Sequence, residues 1–135
     1  MKDDDFNAGL AAELFTNLHL ARHVRFQRRA IPTFTPQPHD CHNNVDRWCA
    51  VHPECKPVRG WLVFQYPLAR HPVVRFQPHS VIEDGGRLVD LTPREGSDEL
   101  LFLPHPDGNE MFMLTLSRRQ ISTVTHKLSK EEHDG

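Results

Sequence analysis

The sequence predicts an α+β fold: N-terminal helices, one bearing Cys41 at its start, packed on an antiparallel sheet of about four to six strands. Three observations carry that expectation. Apolar residues recur at helical steps of three and four in the N-terminal part of the chain, up to Pro53. From Gly60 onward, β-branched and aromatic runs bounded by Gly and Pro take over. Between two of those runs stands Gly85-Gly86, the signal of a two-residue β-hairpin turn. At 135 residues the chain has the size of one domain, read as 1–135 with frayed ends at 1–4 and 128–135.

The first helix is expected over residues 5–23, where Phe6, Leu10, Leu14, Phe15, Leu18 and Ala21 form the stripe and Asp5 caps the start. Arg22, Arg25, Arg28 and Arg29 then read as solvated charge near its C-terminus, where cations suit the helix dipole. Pro32, Pro36 and Pro38 make Ala30 to Asp40 an extended connector. Asp40 is the expected N-cap of a second helix, Cys41 through His52, which Pro53 stops. Cys41, Val45, Trp48 and His52 share one face of it, with Cys49 at the border.

Strands follow at Gly60 to Tyr66, Val73 to Asp84, Arg87 to Leu91 and Glu99 to Leu103. Pro104 to Asn109 is a loop by its turn chemistry, which leaves His105 an exposed loop histidine. Met111 to Leu116 and Ile121 to Thr125 fit either edge strands or a short helix. Trp48 and Trp61 are expected in the core.

Composition excludes several functions. An apolar fraction of 38% beside 25% charged residues argues against wholesale disorder. A net charge of −2 gives no electrostatic footprint for nucleic acid. The longest unbroken apolar runs, such as Trp61 to Phe64, are far short of a membrane span. The acidic start, Met-Lys-Asp-Asp-Asp, lacks the charge of a signal peptide, so a cytoplasmic protein is expected. Three cysteines then read as thiols, metal ligands or small core residues rather than a disulfide framework.

The chemistry-bearing pattern is a thiol at a helix start followed by a histidine and an aspartate on one hairpin. A thiol in the first helical turn feels the positive end of the dipole and unpaired N–H groups, which favour thiolate and can hold an oxyanion. With Gly85-Gly86 as the loop, Asp84 pairs with Arg87, Glu83 with Leu88, Ile82 with Val89 and Val81 with Asp90. His79, Val81, Glu83, Leu88 and Asp90 then share a face, with His79 and Asp90 diagonal neighbours roughly 7–8 Å apart at the backbone. An aspartate on one imidazole nitrogen leaves the other for a thiol.

The segment from His79-Ser-Val through Asp90-Leu-Thr-Pro93, with Cys41-His-Asn-Asn-Val45 and Gly60-Trp61 before it, resembles the transglutaminase-like branch of the papain-like cysteine enzymes. It resembles in particular a group of small uncharacterised bacterial proteins, over about residues 38–106. The resemblance implies a thiol-dependent hydrolase or acyltransferase acting on an amide or related acyl bond. Cys41 would be its nucleophile, His79 its base and Asp90 the orienting group. It also implies a side-chain donor at the oxyanion, for which Gln37 and Asn44 are the candidates. No cofactor or metal is implied, and the partner is a small-molecule or peptide substrate rather than a membrane or nucleic acid.

Two other readings stand beside this one. The scaffold serves as a non-catalytic binding module, or Cys49, His52 and Cys55 hold zinc, with His39, Cys41 and His42 nearby in sequence.

Overall fold

One long strand organises the molecule. In the computed structural model, which describes residues 3–96 and 98–129, the elements run α1 (Asp3–Thr16), a 3-10 turn (Leu18–Leu20), β1 (Arg22–Phe26), α2 (Cys41–Val51) and β2 (Lys56–Tyr66). Then come β3 (Val73–Asp84), β4 (Arg87–Asp90), β5 (Glu99–Pro104), α3 (Gly108–Arg118) and β6 (Val124–Lys127). The fold is mixed α+β. Its sheet runs β2-β5-β1-β4-β3-β6, and β2 also pairs with β3, so the first five strands of that order close into a barrel while β6 lies outside it. An antiparallel sheet was the expectation. Instead β1 lies parallel to β4, and β2 pairs back onto β3 to close the ring of five strands.

Alternation along the strands divides three apolar clusters. Val24, Leu62, Val81, Leu100 and Phe102 fill the barrel. The outward-facing Trp61, Phe76 and Leu103 take Leu10, Leu14 and Phe112 from α1 and α3. Val45 and Trp48 of α2 cover Ile82, Val89 and Leu91 on another part of the outer wall. Trp48 and Trp61 are both core residues.

α1 stops at Thr16, short of the expected residue 23. Thr16 Oγ1 donates back to the Ala12 carbonyl at 3.0 Å, and Asn17 Nδ2 to that of Glu13 at 2.9 Å. Such side chains compete with the backbone for the carbonyls that end the helix. Leu18 and Ala21 still reach the same cluster, but from beyond the helix. Arg22 and Arg25 therefore lie on a strand rather than a helix C-terminus. Within the stretches expected to fray, Asp3 and Asp4 begin α1, and the Leu128 N–H donates to the Pro72 carbonyl at 3.0 Å. The rest of those ends, 1–2 and 130–135, lies outside the described residues. Residues 111–116 fall within α3, and the last strand begins at Val124.

The β3–β4 hairpin has the register its turn demands. Gly85 and Gly86 have φ of 59° and 83°, the positive values a type I′ turn needs at both central residues. Asp84 faces Arg87, Glu83 faces Leu88 and Ile82 faces Val89, but the expected fourth pair, Val81 with Asp90, is not in the ladder, where Asp90 pairs instead with Phe26 of β1. β3 pairs with β2 from Val73 to Glu83, but its other edge is shared. β6 takes Val73 to Phe76 and β4 takes Ile82 to Asp84. Residues 77–81 have no strand partner on that side. Pro78, with no N–H to donate, stands in this gap. The start of α2 meets β3 there.

Candidate active site

The geometry begins with the turn into α2. His39 has a φ of 59°, a left-handed conformation uncommon for a bulky side chain, and the helix starts two residues later. Asp40 stands at the N-cap position but does not cap: its Oδ2 accepts instead from Asn43 Nδ2 at 3.0 Å. The first-turn amides thus have no side-chain acceptor from the cap residue, at the end of the helix where the dipole is positive.

Because α2 starts against the edge of β3, neighbouring residues reach opposite faces of that strand. Cys41 and His79 line one cleft, and His79 shares its face of the strand with the inward-facing Val81. His42 turns to Ser80, with Nδ1 2.6 Å from its Oγ. His79 Nε2 lies 3.0 Å from Asp90 Oδ1, leaving Nδ1 as the nitrogen for sulfur. The same Asp90 oxygen accepts the Thr92 N–H at 3.1 Å. Asp90-Leu-Thr is therefore an Asx turn as well as the anchor of the imidazole. Asp90 is fully buried and His79 nearly so. Structure brings Cys41, His79 and Asp90 together as one chain of contacts.

Burial disfavours ionisation of Cys41, but hydrogen bonds from His42 and His79 outweigh it and bring the thiol down to about 6. Burial likewise disfavours the His79 imidazolium, and bonds to Asp90 and Cys41 overcome it, raising this histidine to about 9. The other two thiols go the opposite way. Burial pushes Cys49 up to about 11, with Cys55 nearby adding to the effect, and burial raises Cys55 too. Only Cys41, of the three, is placed to be a thiolate near neutrality.

Cys41 and His79 open onto a cleft of about 400 Å³. Leu62, Phe64, Pro78 and Pro93 give it apolar walls, and Gln77 and Arg94 give it polar ones. A larger depression of about 750 Å³, between α1 and α3, is lined by no cysteine, histidine or carboxylate.

The expected side-chain donors to an oxyanion are engaged elsewhere. Asn44 is fully buried, accepts the Gln37 N–H at 3.0 Å, and donates to the Gln37 carbonyl at 2.8 Å and to Thr92 Oγ1 at 3.0 Å. Both of its amide hydrogens are used. Gln37 donates its own side-chain amide to the Thr35 carbonyl at 3.0 Å, and neither residue lines the cleft. Asn44 instead ties the Pro-rich connector and the Thr92 turn to α2. His105 is not exposed either: it is buried, with its Nδ1 accepting from Trp61 Nε1 at 3.0 Å.

Among the described residues no three His, Cys, Asp or Glu side chains converge to hold a metal ion. His52 stacks on Trp48 with ring centroids 4.2 Å apart, and Cys55 packs with Trp48 in the core. The zinc grouping of Cys49, His52 and Cys55 is thus not formed.

Sequence reasoning weighed His42 only as a possible metal ligand, and passed over Ser80 and Arg59. A signal was present. Cys41-His42 and His79-Ser80 are adjacent pairs, and both contacts join residues 38 apart. Comparison of the chain with family models, curated proteins and solved structures gives no match.

Proposed function

We propose that the protein is a thiol-dependent hydrolase or acyltransferase of papain-like, transglutaminase-like type, acting on an amide or related acyl bond. The observation that carries this reading is the thiol–imidazole–carboxylate chain through Cys41, His79 and Asp90 at the floor of a cleft. A thiolate beside an imidazolium is a nucleophile and an acid ready in one place. The Cys41 sulfur attacks the acyl carbon, and the carbonyl electrons move to oxygen. First-turn N–H groups of α2 hold that oxyanion. As the carbon–nitrogen bond breaks, His79 gives its proton to the leaving amine, and the acyl group stays on sulfur. Water or a second amine then surrenders a proton to His79 as it attacks the thioester. The carbon–sulfur bond breaks and the thiolate–imidazolium pair is restored. Asp90 orients the imidazole throughout and stabilises its charge.

The test is residue-resolved labelling of the intact chain with iodoacetamide and with p-nitrophenyl acetate at pH 7. Cys41 is expected to be alkylated fastest and to carry an acetyl group transiently, and His79→Ala slows both. Equal, slow labelling of all three cysteines would sink the proposal.

A further inference from the structure

His42 is the one polar partner of the thiol that this mechanism leaves without work. It follows Cys41 in the first turn of α2, lines the same cleft, and helps bring the thiol down. Behind it runs a chain of its own. Its Nδ1 is 2.6 Å from Ser80 Oγ, and Ser80 Oγ accepts from Arg59 Nη1 at 3.0 Å. Arg59 Nη2 pairs with Asp46. Ser80 is fully buried and Arg59 nearly so, and the Arg59 backbone N–H is held by Asn109 Oδ1 at 2.8 Å.

One direction of this chain gives every donor an acceptor. A guanidinium only donates, so Arg59 takes a lone pair of Ser80. The serine has one proton to give, and His42 Nδ1 is the acceptor within reach. A hydroxyl polarised by a guanidinium is also a better donor and a poorer acceptor. The His42 proton then sits on Nε2.

We propose that His42 is a positioning residue for the nucleophile: a neutral imidazole, locked as the Nε2–H tautomer by the Ser80–Arg59–Asp46 chain, that donates a hydrogen bond to the Cys41 thiolate. The proposal rests on the reading of Cys41 as nucleophile. It divides the labour between two imidazoles. His79, backed by a carboxylate, takes and returns protons. His42, backed by a cation, holds the sulfur anion without competing for its proton, since protonating Nδ1 would turn the Ser80 hydroxyl and take from its buried proton the acceptor it has in Nδ1. The charged and titratable surroundings agree with this. Facing the thiol are His79 from β3, with Asp90 of β4 behind it, Arg94 after β4, and His39 and Asp40 before α2. Asp46 of α2 is occupied by Arg59, and α3 presents the Phe112 ring, 5.7 Å from that of His42. His105 lies against that same phenylalanine.

Two measurements on the full chain test it. In protein labelled with ¹⁵N-histidine, the His42 ring is expected to show a protonated Nε2 and a bare Nδ1 at neutral pH. A protonated Nδ1 overturns the proposal, whatever any variant does. The second is the pH dependence of Cys41 alkylation, with melting curves to confirm folding. His42→Leu keeps apolar bulk and loses the donor, and Ser80→Ala frees the tautomer. Each is expected to raise the Cys41 midpoint by about one unit, or about fivefold slower alkylation near pH 6. His42→Gln, with an amide N–H for sulfur and an oxygen for Ser80, restores most of it. If His42→Leu and Ser80→Ala match the wild type while His79→Ala does not, His42 is a packing residue and the nucleophile reading stands. If none of the three differs from an ordinary thiol, it is the nucleophile reading that fails.

Discussion

Gly60 lies directly opposite His79 in the β2–β3 ladder, and a Cβ built on it would fall 2.1 Å from the Leu103 carbonyl oxygen. β2 and β5 are paired here, with Gly60 facing Pro104 and the His105 N–H bonded to the Arg59 carbonyl at 2.9 Å. The close approach that shuts the barrel is thus made beside the histidine of the candidate site.

Gly60→Ala is accordingly expected to force β5 away from β2. The obstacle is backbone and cannot rotate aside, so the cost should reach the upper end of overpacking, about 3 kcal/mol. Urea unfolding measures it. Cys41 should also lose its labelling advantage over Cys49, because His79 shifts with the strand.

Asp90→Asn keeps an oxygen for the Thr92 N–H but removes the charge that stabilises the His79 imidazolium. The upper midpoint of Cys41 alkylation is expected to move down from about 9. Acylation by an activated ester should slow by about a hundredfold or more, as in other triads that lose the carboxylate.

The pH behaviour of the pair follows from its two shifts. Cys41 alkylation should switch on through about pH 6 and change again through about pH 9 as the imidazolium is lost, the two midpoints belonging to the pair. Stability is a different matter. The raised His79 contributes stability that is full below 6.5 and lost as pH rises through about 9. The lowered Cys41 contributes stability that is full above 9.0 and lost as pH falls through about 6. Between 6.5 and 9.0 the folded and unfolded pair each bind one proton, so the slopes cancel. Urea midpoints of wild type and of the double variant Cys41→Ser/His79→Gln should run parallel across that range.

Asn44→Ala leaves the Gln37 amide and carbonyl and the Thr92 hydroxyl without their shared partner in a buried place. A loss of about 2–3 kcal/mol is expected in urea unfolding. Local opening of the connector should show as faster amide exchange at Gln37. Gln37→Ala, which removes only an exposed side-chain bond to Thr35, should lie within about 0.5 kcal/mol of wild type.

Sequence periodicity and turn chemistry made the parts nearest the site readable. The Gly85-Gly86 turn placed Ile82 opposite Val89, which put His79 and Asp90 within reach of each other, and Pro53 and the α2 stripe located Cys41. β1 was not readable. Its one buried residue is Val24, and its arginines and His23 are exposed, so five residues carry a single apolar signal. Its parallel pairing with β4 and the closure of the barrel join distant segments with no local mark. α3 stayed ambiguous because, of its apolar run, only Phe112 is fully covered. Asn44 was assigned to the wrong chemistry because an amide beside a thiol looks available until its backbone partners are seen.

The gap in the outer edge of β3 also sets what changes the site tolerates. His79 and Ser80 serve different chains only because neighbouring strand residues point to opposite faces. Inserting or deleting one residue between Phe76 and Ile82 would exchange them, turning an imidazole to the α2 wall and a hydroxyl to the thiol. A change of two residues would preserve the faces and shift only the reach. Lineages or libraries that vary β3 in length should therefore keep the site only in even steps.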